Sequence, residues 1–258
     1  MAAVAASAAP AVSAAQARAN APAAAQPSSP EASAATLTQD QVIAHAAEAY
    51  AERLAELSGR AALDADEAFL QRLRRIAAPL IAQAARDYPE SASWHWELHT
   101  SSAPDQDADC MAGGKLLVGQ TYAERLQLSD AELAMLLSHE IAHAVLRHNL
   151  LEYQEALRIE PARAARPFSE LWDAVDHDAS LMDKLAPLGR AQEEQADRAG
   201  MLLAFHAGWQ PARLAGYYRK LVRNSGWPGL DSATHPSPQS RWQAMHALAD
   251  TLAAKLAP

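Results

Sequence analysis

The chain has 258 residues, half of them apolar, which is enough for one sizeable domain or two small ones with a packed core. Its net charge of −9 keeps it soluble and argues against nucleic acid as the main partner, and no Lys/Arg cluster with interleaved aromatics offsets that. Cys110 is the single cysteine, which excludes an internal disulfide and a cysteine-built zinc cluster; it reads as a small packing residue. No stretch approaches the ~18 consecutive apolar residues of a membrane-spanning helix, so no integral membrane segment is expected.

Residues 1–37 are nearly all Ala, Pro, Ser and Gln. Ala15-Gln16-Ala17 and Ala17-Arg18-Ala19 have the small-residue form of export cleavage sites, but no positive stretch precedes them. The segment reads either as a poor or truncated export signal or, the preferred reading, as a disordered tail left by one, with a single domain over 38–258. Thr38 can cap a helix to about Leu57, and Asp64 or Asp66 a second one with an apolar stripe from Phe69 to Ile81. Residues 94–99 alternate with period two, placing Trp94, Trp96 and Leu98 on the core face of a strand. His95 and His99 fall on the solvated face, about 13 Å apart and too far to share a metal. Gly113-Gly114 predicts a turn into a short strand at Leu116-Leu117-Val118. Ser129 to Glu132 is a capping-box pattern opening a long helix with Leu133, Leu136, Leu137, Ile141, Ala144 and Val145 inward. Residues 149–192 are charged and interrupted by Pro161 and Pro167, and Asp173, Asp176, His177 and Asp178 read as a solvated acidic loop. Helices are expected from about Gln192 to His206, after Pro211, and over 239–256. The pattern is that of a mainly helical α+β fold with a small sheet.

Residues 139–143 read His-Glu-Ile-Ala-His. On a helix, His139 and His143 share one face, so both imidazoles can reach one tetrahedral Zn²⁺. Glu140 lies between them and can accept a proton from the attacking water. A catalytic zinc needs a third protein ligand. In one large class this is a His six residues after the second, with a Gly between; Asn149 and Leu146 occupy those places and exclude that class. His148 would lie about 140° round the same helix from His143 and point elsewhere. The remaining solution is a carboxylate on a later helix. Glu193 and Asp197 are again four apart, so Glu193 can ligate while Asp197 accepts the N–H of a ligating imidazole. Ala199-Gly200 permits close helix packing there.

These segments resemble the M48 zinc metallopeptidases. Leu133–His148 resembles the family's active-site helix, Glu193–Gly200 its third-ligand helix, Thr234-His235-Pro236 with Arg241 its downstream segment, and Asp107–Val118 the strand bordering its cleft. The likeness runs in order over about residues 40–255. It departs where the strand's Asn is Asp107 or Asp109 and its Pro is Ala112. The resemblance implies a gluzincin-type metalloendopeptidase with one Zn²⁺ per chain held by His139, His143 and Glu193, supported by Asp197 and Arg241. Glu140 is its catalytic base, and His235 is either a donor to the oxyanion or a group that swings onto the zinc and holds the enzyme latent. Substrate is expected to lie extended along Lys115, Leu116, Leu117 and Val118. Unfolded or misassembled envelope proteins fit that backbone-reading mode, in the bacterial periplasm. A chaperone-like binding module with a structural or latent metal site is the main alternative. A zinc aminopeptidase is disfavoured, because its Glu ligand follows the second His much more closely than Glu193 follows His143.

Overall fold

A computed structural model describes residues 37–255 except Ala233. The leader expected over residues 1–37 therefore lies, Leu37 apart, outside the described residues. Helix α1 (Gln39–Gly59) starts where Thr38 closes a capping box with Gln41, and α2 (Glu67–Asp87) where the Asp66 carboxylate accepts the Phe69 N–H. Three short strands follow, β1 (Glu97–Ser101), β2 (Ala108–Met111) and β3 (Lys115–Gly119). Then come the short α3 (Gln120–Arg125) and the central α4 (Asp130–Val145).

Helix α4 carries the expected capping box, the Ser129 N–H donating to Glu132 Oε2 at 2.8 Å. Its apolar surface is wider than a stripe: Ala134, Met135 and Ser138 are buried as well as the expected inward set. A helix buried nearly all round sits in the middle of a core, and α2, β2 and the helices at His148–Ile159, Ala179–His206, Pro211–Leu214 and Gly216–Asn224 pack around this one. The later helices are α5 (His148–Ile159), α6 (Phe168–His177), α7 (Ala179–His206), α8 (Pro211–Leu214), α9 (Gly216–Asn224) and α10 (Pro238–Ala254). Residues 149–192 are thus largely helical, and Asp173, Asp176 and His177, expected in a loop, lie in α6. Leu150, Tyr153 and Ala156 recur at helical spacing, and with Leu171, Val175, Leu181 and Leu185 they close a second apolar cluster against Val42 and Ala46 of α1. Asp178 caps α7, and His177 pairs with Asp173 one turn back, so the acidic run serves helix ends and a solvated face.

In the sheet β3 lies between β1, which it pairs in parallel, and β2, which it pairs antiparallel. Gly113 and Gly114, at φ +80° and +82°, make the turn into β3; a Cβ on Gly114 would lie 2.6 Å from the Trp96 ring. The regular strand begins at Glu97, later than the alternation suggested. Leu98 is buried, and Trp94 and Trp96 pack against the core from the preceding segment. His95 is exposed as expected. His99 is not: it is half-buried with Nδ1 2.6 Å from Asp64 Oδ2, because the segment before α2 folds back over β1. Cys110 is buried in the core, and burial pushes its thiol pKa well up, consistent with a packing role.

The central place of β3 corrects one expectation. Both edges of Lys115, Leu116, Leu117 and Val118 are already paired, all four side chains are buried, and Lys115 Nζ is held by Glu97 and by the His95 carbonyl, 2.7 Å away. An extended peptide finds no free backbone there. Among the described residues β1 and β2 each have a strand neighbour on one side only, and the Leu63–Ser101 bridge meets the outer side of β1 at its end.

Candidate metal centre

Helix α4 sets His139 and His143 one turn apart, with Nε2 atoms separated by 3.2 Å. Helix α7 crosses beside it and contributes Glu193, whose Oε2 lies 3.4 Å from His139 Nε2 and whose Oε1 lies 3.2 Å from His143 Nε2. The two helices come this close because of Gly200. A Cβ there would sit 2.8 Å from the His139 backbone nitrogen. Three ligand atoms, two imidazole nitrogens and one carboxylate oxygen, fall within 4.8 Å of one another. No second group of three is as close among the described residues.

These residues fit a metal ion. The nitrogens and the oxygen converge on one point, as a tetrahedral zinc requires with its fourth position open. Glu193 Oε2 is buried without a hydrogen bond; Arg241 at 3.3 Å and the His139 ring at 3.4 Å are its neighbours, and a metal ion at the cluster would give it a direct partner. Burial would push the Glu193 carboxyl up, yet the two imidazoles and Arg241 hold it well below the usual carboxylate range. A ligand that keeps its negative charge is what a divalent cation needs.

Behind the ligands lies a buried charged network. Asp197 Oδ1 is 2.9 Å from His139 Nδ1. Arg241 on α10 grips the same carboxylate at two points, Nε to Oδ2 at 2.8 Å and a terminal nitrogen to Oδ1 at 2.6 Å. The Tyr218 hydroxyl donates to Oδ1 at 2.8 Å. Burial opposes ionisation of Asp197, but Arg241 and His139 outweigh it and hold its pKa at about 2. With Asp197 ionised, the Nδ1 of His139 carries the proton and Nε2 is free to ligate. Arg241 also reaches Glu193 Oε2 at 3.3 Å, so it braces two carboxylates at once.

Glu140 lines the cleft, outside the three-atom ligand group, and is half-buried. Burial is the main cause that raises its pKa, to about 8, with the Asp109 and Glu193 carboxylates adding to it and His139 opposing. His235 stands at the rim with its side chain half exposed and Nε2 3.4 Å from Glu193 Oε2, outside the three-atom ligand group. The cleft holds about 780 Å³ and has His139 and Glu140 among its lining. Tyr122, Leu126, Leu136, Tyr217, Trp227 and Leu230 make it largely apolar, and Asp107 and Ala108 bring the start of β2 to its edge.

His148 departs from expectation. Helix α4 ends at Val145, and Arg147 adopts φ +59°, so the chain reverses instead of continuing. His148 therefore opens α5 and returns to the site, buried, with its Nδ1 3.1 Å from His143 Nδ1. Burial, with His143 beside it, lowers its pKa to about 4 and keeps it neutral near pH 7. Tyr218 and the Tyr122–Tyr217 hydroxyl pair, 2.9 Å apart, also had no sequence signal, because a Tyr at helical spacing reads as core.

The sequence matches peptidase family M48 over residues 67–249. The chain belongs to that family. As an M48 member it is 30% identical over 177 residues, 68% of the chain, to mitochondrial metalloendopeptidase OMA1 of Arabidopsis thaliana, covering 35% of that protein. It is 29% identical over 151 residues, 57% of the chain, to the OMA1 of Schizosaccharomyces pombe, covering 44% of it. It is 26% identical over 127 residues, 44% of the chain, to a β-barrel assembly-enhancing protease of Yersinia pestis, covering 26% of it. The chain thus spans less than half the length of each of these relatives. No helix among the described residues of this M48 chain is long and apolar enough to cross a membrane.

Proposed function

We propose that this domain is a zinc-dependent endopeptidase that cuts within extended polypeptide chains, with one Zn²⁺ per chain on His139, His143 and Glu193. The observation that carries this is the convergence of those three ligand atoms within 4.8 Å of one another, with His139 and the neighbouring Glu140 lining an open cleft. Zinc, when bound, supplies Lewis acidity at the scissile carbonyl and lowers the pKa of water toward about 7. Glu140 takes the proton from the attacking water and passes it to the leaving amine, a transfer worth about 10²–10⁴ in rate. His235 donates a hydrogen bond to the oxyanion that forms on the substrate, and Arg241 keeps Glu193 and Asp197 ionised and in place. Substrate pairs with the open edge of β2, beginning at Asp107 and Ala108. Backbone pairing of that kind selects chains that are not folded. With relatives named metalloendopeptidase and β-barrel assembly-enhancing protease, the reading extends to unfolded or misassembled envelope proteins. The export-like Ala-rich leader supports a periplasmic location.

The test is digestion of an N-terminally blocked, unfolded protein such as casein, with fragments identified by mass spectrometry. Internal cleavage that stops with a chelator and returns with zinc is the expected result. Binding without cleavage by zinc-loaded protein would instead assign a chaperone-like module. Cleavage confined to substrates with a free N-terminus would assign an aminopeptidase.

A further inference from the structure

The two imidazoles on α4 have different partners behind them. His139 turns its Nδ1 to the Asp197 carboxylate, whereas His143 turns its Nδ1 to a third histidine. Resting on the zinc reading above, we propose that His148 is the positioning residue of His143: its Nδ1 accepts the His143 Nδ1–H, fixing the tautomer and ring angle that present His143 Nε2 to the metal.

The direction of the bond follows from the geometry. His143 Nε2 lies 3.2 Å from both His139 Nε2 and Glu193 Oε1, so it is the atom facing the metal position. A lone pair given to a metal cannot hold a proton, so the His143 proton sits on Nδ1. At 3.1 Å only one of the two Nδ1 atoms can donate. If His148 donated instead, His143 would have to lose both ring protons and become an imidazolate. His148 therefore accepts at Nδ1 and carries its own proton on Nε2, which points to Gln195 Oε1 at 3.4 Å. The ring N–H of His143 and that of His148 then each have an acceptor.

The ring is built into this place. Arg147 in the left-handed region turns the chain so that α5 begins at His148. The His148 carbonyl accepts from Gln192 Nε2 at 3.0 Å, one residue before the ligand Glu193. The two rings meet edge to face at 86°, with centroids 4.8 Å apart. One ligand is thus held by an anion and the other by a neutral ring, which orients His143 without adding a second negative charge to the site.

The experiment measures zinc affinity by competition with a chromophoric chelator, on the full chain and on two variants. His148→Phe keeps the ring but removes the acceptor, and should weaken zinc binding about 10–100-fold. His148→Gln, whose amide oxygen can accept the same N–H, should restore the wild-type affinity. In the zinc-loaded wild type, histidine ¹⁵N shifts should show His148 as the Nε2–H tautomer and His143 protonated at Nδ1. A folded His148→Phe that binds zinc as tightly as the wild type would overturn the proposal. So would His148→Gln binding as weakly as His148→Phe, or His148 found with its proton on Nδ1; the last needs no variant to fold. Wild-type protein that binds no zinc would sink the metal reading itself, and this inference with it.

Discussion

Arg241 holds Asp197 at two points and Glu193 at a third, and all three side chains are buried. Removing the guanidinium would leave two carboxylates facing each other across the His139 ring. Arg241→Ala is therefore expected to destabilise the fold by about 3–5 kcal/mol in urea unfolding, the cost of a buried charge left without its partner. Arg241→Lys should recover little of that, since an ammonium cannot make the forked contact. A loss under 1 kcal/mol for Arg241→Ala would show that the network contributes little to stability. At this scale the sequence was informative wherever the chemistry repeats within one helix. His139 with His143, and Glu193 with Asp197, each lie one turn apart, and that spacing alone puts them on a common face. Tyr218 and His148 were not legible, because each reaches the site through a return of the chain that local spacing does not encode. In the case of His148, extrapolating α4 past Val145 put the ring on the wrong side; the reversal at Arg147 depends on a non-glycine residue with positive φ, which carries no sequence mark.

Elements meet at two points that can be probed separately. Gly200 lets α7 pass against the His139 backbone, where an added Cβ would be 2.8 Å from nitrogen. Alanine gains about 1 kcal/mol over glycine in a helix, while overpacking against backbone costs about 1–3 kcal/mol. Gly200→Ala should thus be net destabilising in urea unfolding, and Gly200→Val more so; a stabilised Gly200→Ala would mean that α7 can shift freely. The second point is β2. Burial, with Asp176 adding and the Gln106 hydrogen bond and Arg53 opposing, raises the Asp109 pKa from 3.8 to about 6. A folded-state pKa above the unfolded one means that the stability this group contributes is complete below pH 3.8 and is lost as pH rises through about 6. Asp109→Asn keeps an acceptor for Gln106, which now donates to Oδ2 at 2.9 Å, and removes the buried charge. It should melt a few degrees higher than the wild type near pH 7 and at the same temperature below about pH 4. Equal melting at pH 7 would contradict the burial of that carboxylate. Helix starts were legible at this scale, since Thr38, Asp66 and Ser129 are caps with a chemical mechanism. Strand order was not. The run Leu116-Leu117-Val118 is apolar on both faces because β3 is central, and the same run had suggested a strand open to substrate.

On the scale of the whole molecule, the largely enclosed α4 carries two of the ligands, α7 supplies the third, and the helices packed around them hold all three in place. The acidic, helix-rich composition bounded the class of fold. The likeness of four separated segments to one family tied them to a common site before any distance was known. What remained hidden was the cleft, since an apolar wall of Tyr122, Tyr217, Trp227 and Leu230 is assembled from parts of the chain distant in sequence. The central claim, that zinc on His139, His143 and Glu193 serves a proton transfer by Glu140, is tested most directly by measuring zinc content and casein cleavage together in the wild type and in Glu140→Gln. The account predicts about one zinc in each protein and cleavage reduced about 10²–10⁴-fold in the variant alone. A wild type that holds no zinc, or a Glu140→Gln variant that cuts as fast as the wild type, would contradict it.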